Sequence, residues 1–70
     1  MFHVDMPFHI GDHVKINNGP YTDSVGRVEL THASVTSLGP YARVWVRLDE
    51  RKRVEAFNPE HLLMVGPTIS

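Results

Sequence analysis

Seventy residues make one small domain and exclude a multidomain enzyme, because a chain of this length buries only about 60% of its unfolded surface. A hydrophobic share of 41% excludes intrinsic disorder, and the absence of cysteine excludes a disulfide framework, a thiolate zinc site and a cysteine nucleophile. The formal charge of −1 removes the simplest signature of a nucleic-acid binder, a strongly basic surface, so any such function must rest on local patterning. No apolar run approaches the roughly eighteen residues that cross a bilayer. Met1-Phe2-His3-Val4-Asp5 lacks the basic start and apolar stretch of a signal peptide, so a cytoplasmic location is expected.

Turn signals recur about every ten residues, the spacing of short strands in an all-β domain. From His9 to Ile16 the apolar residues Ile10, Val14 and Ile16 fall on even positions with His13 and Lys15 between them, which predicts a half-buried strand. Asn17-Asn18-Gly19-Pro20 ends it with turn-forming residues and a missing ladder donor. A second alternation starts at Val25, with Gly26, Val28 and Leu30 on the inner face and Arg27 and Glu29 on the outer. Thr31 to Gly39 is polar and reads equally as a loop or as a pair of strand extensions.

Tyr41 to Leu48 has strict period two and is rich in β-formers, so Ala42, Val44, Val46 and Leu48 face inward. Asp49-Glu50-Arg51-Lys52 is expected at a hairpin tip, with Arg53 to Phe57 as the returning strand. Asn58-Pro59 then favours a single 3₁₀ turn through Glu60 and His61 before a last strand from Leu62 to Val65. Residues 1–8 and 66–70 read as tails around one domain spanning 9–65.

The run Gly11-Asp12-His13-Val14-Lys15-Ile16-Asn17-Asn18-Gly19-Pro20-Tyr21, followed by Gly26-Arg27-Val28, resembles the KOW motif of NusG-type transcription factors and several ribosomal proteins. The stretch Val54 to Leu62 is similar to the strand, 3₁₀ turn and final strand of SH3-like barrels. The resemblance implies a five-stranded SH3-like barrel with a short 3₁₀ turn before the last strand, associating with nucleic acid or with the transcription or translation machinery. Tyr21 with Val25-Gly26-Arg27-Val28, and Phe57 before Glu60, are also similar to the photosystem I accessory subunits of the PsaE type, which implies a docking or assembly subunit of a photosynthetic or redox complex. Gly11-Asp12-His13-Val14 resembles the start of type II dihydrofolate reductases. Their pore strand reads Val-Gln-Ile-Tyr, where this chain has Val54-Glu55-Ala56-Phe57.

If the even residues of the third strand point inward, Tyr41, Arg43, Trp45 and Arg47 stand together on its outer face. Aromatic planes interleaved with guanidinium groups stack on bases and pair with phosphates, and the same residue types anchor protein interfaces. The alternative is a structural stripe, with Trp45 covered by the tail around Phe2 and Phe8 and the arginines paired to acidic neighbours. Five of the seven basic residues lie between Arg43 and Arg53, so Arg51, Lys52 and Arg53 either extend a basic track or guard a solvated hairpin tip. Lys15, Tyr21 and Arg27 stand at the margin of this surface, Tyr21 being either a partner contact or an aromatic folded over the end of the barrel.

The five histidines carry no metal-ligand spacing, since His9 and His13 would lie about 13 Å apart along a strand. No spacing specifies a nucleophile with its base, paired catalytic carboxylates or a phosphate-cradling loop, so a non-catalytic module without cofactor is expected.

Overall fold

A computed structural model describes residues 6–50 and 53–65. Five antiparallel strands, β1 (His13–Ile16), β2 (Val25–Thr36), β3 (Gly39–Leu48), β4 (Val54–Phe57) and β5 (Leu62–Met64), lie in one sheet in the order β4-β3-β2-β1-β5. Two 3₁₀ turns, Gly19–Tyr21 and Pro59–His61, stand before β2 and β5. Each begins at an Asn in extended backbone and holds a proline in its first positions, where the missing N–H costs nothing. The all-β class and the 3₁₀ turn before the last strand agree with the sequence. The closed barrel does not: β4 and β5 are the two edges and no ladder joins them among the described residues, so the sheet is open.

One face of the sheet carries the core of Phe8, Val14, Ile16, Val28, Val44, Val46, Leu48 and Leu62, with Met6, Tyr21 and Phe57 packed against it. Phe8, placed by the sequence in a tail, is only 6% exposed and belongs to this core. The first strand is shorter than its alternation suggests. Gly11 takes a positive φ of 96° that L-residues avoid, and the Asp12 carboxylate accepts the His9 backbone N–H at 2.8 Å, so a turn precedes His13. Ile10 is left 66% exposed instead of facing the core.

The undecided segment is strand on both sides of a two-residue turn. β2 runs to Thr36 and β3 starts at Gly39, paired with it, while Gly39 adopts φ 119°. The Thr36 hydroxyl donates to the Gly39 carbonyl at 2.9 Å and accepts the Leu38 N–H at 3.2 Å, which holds the tip. The resulting ribbon reaches past the other strands, since β1 pairs with β2 only at Val25 to Arg27 and β4 with β3 only from Val44.

Between Val28 and Leu30 the register of β2 against β3 shifts by one residue. Val28 pairs with Val46, but Leu30 pairs with Trp45, so Glu29 is the extra residue of a bulge. Leu30 is thereby turned to the outer face and is 52% exposed, where unbroken alternation would have placed it inside.

Gly26 sits between Val14 on β1 and Leu48 on β3. A Cβ there would press on the Arg47 carbonyl oxygen and lie 2.7 Å from Val46 Cγ1, so the close approach of β2 and β3 requires glycine. Gly26→Ala is expected to lower unfolding free energy by about 1–3 kcal/mol, seen as a lower urea midpoint.

Candidate binding face

The alternation of β3 puts Tyr41, Arg43, Trp45 and Arg47 on the face opposite Val44, Val46 and Leu48, as the sequence predicts. Neighbouring strands complete the surface. Trp45, half-buried, has Leu30 beside it on β2 and Ala56 on β4; Arg43 has His32 beside it and Tyr41 has Ser34. Leu30 and His32 escape a sequence reading because the bulge reverses the alternation after Glu29, and no residue type there announces the reversal.

Phe8 lies in the core on the inner face, so it does not cover Trp45; Phe2 is outside the described residues. The Arg43 guanidinium carbon stands 5.4 Å from the Tyr41 ring centroid, a cation–π arrangement, and the His32 ring meets Tyr41 edge-on at 5.9 Å. Arg43 Nε is buried without a hydrogen-bond partner, and Arg43 forms no ion pair among the described residues. Its charge is held by an aromatic face and balanced by no carboxylate among the described residues.

Arg47 differs. Its Nε donates to Glu29 Oε2 at 2.9 Å and its Nη2 to Glu29 Oε1 at 3.1 Å, a two-pronged clamp between β3 and the bulge. This hydrogen bonding holds the Glu29 carboxyl below its ordinary value, partial desolvation opposing and the Arg47 charge assisting. The other basic candidates are also engaged: Lys15 Nζ lies 3.5 Å from Asp23, Arg53 Nε 2.8 Å from Glu55, and Arg27 Nη1 donates to the Gly11 carbonyl at 3.1 Å. Arg51 and Lys52 lie outside the described residues.

Tyr21 is not on this face. Its ring meets Phe57 edge-on at 6.1 Å and its hydroxyl donates to Glu55 at 3.3 Å, which folds it over the end of the core. Tyr41 also borders a groove of about 360 Å³ between β3 and the second 3₁₀ turn, lined by Pro40, Ala42, Asn58, Pro59 and Glu60. No group of three His, Asp or Glu among the described residues is placed to hold a metal ion. No described helix is long and apolar enough to cross a membrane.

The chain matches no family model, no curated protein and no solved structure.

The clamp has a sign in pH. A carboxyl depressed below 4.5 in the folded state contributes stability that is present above that value and lost as pH falls through the folded value. The stability difference between wild type and Glu29→Gln should therefore be constant near neutrality and shrink below about pH 4.5 in urea titrations.

Proposed function

We propose that the chain is a non-catalytic binding module of SH3-like, KOW type that holds single-stranded nucleic acid, within a transcription or translation assembly, on the outer face of β3. The observation that carries the reading is the Tyr41-Arg43-Trp45 column, in which a cation without a carboxylate partner among the described residues stands between two aromatic positions of one strand. Tyr41 and Trp45 are about 13 Å apart along the strand, room for two separately stacked bases with a phosphate at Arg43 between them. Arg47 contributes less, because its charge is already matched by Glu29. The strand order, the 3₁₀ turn before β5 and the Tyr21–Phe57 contact support the SH3-like part of the reading. Gly26 in its close approach supports the KOW part.

A second reading, a docking or assembly subunit of a larger protein complex, is favoured by the same charge balance. Lys15, Arg47 and Arg53 are each neutralised locally, and Leu38 at the ribbon tip is 99% exposed. Leu30, Val35 and Leu38, all exposed on the ribbon, then offer apolar contacts that need no charge.

Titration of the full chain with short single-stranded RNA and DNA separates the two. Emission from Trp45, the single tryptophan, should change, with affinity falling as salt rises. By filter retention Trp45→Ala should weaken binding by roughly five- to hundredfold, Arg43→Ala should lower the salt slope by about one phosphate, and Glu29→Gln should tighten binding by removing a negative charge from the face. No response to any oligonucleotide at low salt overturns the nucleic-acid reading. Recovery of one defined protein after nuclease treatment, lost in Trp45→Ala, establishes the docking reading instead.

A further inference from the structure

The β1 ladder leaves β2 after Arg27, and Val28 makes the last bonds on that side, to Gly11 and Asp12. From Leu30 to Thr36 no described strand pairs with β2 on the side away from β3, so alternate N–H and C=O groups of seven residues face outward along an open edge. Folded proteins guard such edges with proline, lysine, inward-pointing charge, a bulge or simple shortness. The other edges conform: β5 has three residues, β4 four, and the free length of β3 carries Pro40 and Arg43 with the second 3₁₀ turn against it. Leu30-Thr31-His32-Ala33-Ser34-Val35-Thr36 contains no proline and no Asp, Glu, Lys or Arg, and three of its residues are β-branched.

We propose that this edge pairs with the same edge of a second copy of the chain, antiparallel about a two-fold axis at Ala33, to form one sheet continuous across both molecules. The charge pattern selects this partner and this direction. Ala33 faces the partner's Ala33, Thr31 the partner's Val35, His32 the partner's Ser34 and Leu30 the partner's Thr36, so no formal charge opposes another. Glu29 comes opposite the partner's Ser37, whereas a parallel arrangement would align Glu29 with its own copy. A two-fold axis also requires a self-complementary surface, which an uncharged strand supplies. The two outer faces then lie side by side and their Trp45 columns share one surface. The inference does not rest on the nucleic-acid reading.

Sedimentation equilibrium of the full chain over a dilution series from millimolar to micromolar tests it, with two variants of the exposed Ala33. Wild type should show twice the chain mass at high concentration. Ala33→Lys and Ala33→Glu, each placing like charges opposite one another, should associate roughly a hundredfold more weakly while keeping the wild-type circular dichroism. An equal mixture of the two should recover the dimer, an outcome that misfolded variants cannot give. A single-chain mass for wild type throughout, or a dimer as strong in both variants as in wild type, overturns the proposal. Wild type that stays monomeric while adding an unrelated extended peptide along this edge overturns it as well, by assigning the edge to a foreign strand.

Discussion

One additional residue, Glu29, organises the molecule. Had β2 paired with β3 in unbroken register, Leu30 would have followed Val28 into the core and the residues after it would have exchanged faces. The bulge instead turns Leu30 and His32 toward Trp45 and Arg43, and it leaves the Glu29 carboxylate where Arg47 grips it with two donors. A local irregularity therefore sets the composition of the outer face and the position of its best-held salt bridge. The pair is solvent-accessible, so its part is orientation more than stability.

Charge on the basic hairpin is distributed differently from what the residue count suggests. Five of seven basic side chains cluster between Arg43 and Arg53, yet Arg47 and Arg53 are each joined to a carboxylate from the same sheet. Arg43 is different because its neighbours are aromatic: Tyr41 attracts the guanidinium without neutralising it. A sequence lists cations; only pairing geometry separates those already balanced from those able to meet a ligand.

The parts of the fold legible in the sequence are those where burial imprints a period. Val44, Val46 and Leu48 alternate with Arg43, Trp45 and Arg47 because one face is dry, and Gly19-Pro20 and Asn58-Pro59 mark turns by removing a donor and fixing φ. Thr31 to Gly39 reads equally as loop or strand because this part of the ribbon projects past most of the core, so little selects apolar residues on one side. Its turn is also silent: Ser37-Leu38 lacks the Asn-Gly signature, and the left-handed residue is Gly39, one place later. Tyr21 reads in two directions from sequence because its partners Phe57 and Glu55 lie more than thirty residues away and leave no local signal. The distinction between an open sheet and a closed barrel is equally remote from local pattern, since it depends on whether β4 and β5 meet.

The pairing of β5 with β1 joins Val14 to Met64 and Ile16 to Leu62, the widest sequence separation in the sheet. Every other ladder links strands adjacent in the chain and closes a short loop. Closing a long loop is entropically dearer, though the cost rises only as about (3/2)RT ln n, and β5 meets it with three residue pairs and the burial of Leu62. β5 is thus the latch of the domain: the meander of the first four strands can form from near neighbours, and the core around Val14 and Ile16 is sealed when the distant end of the sheet returns to them.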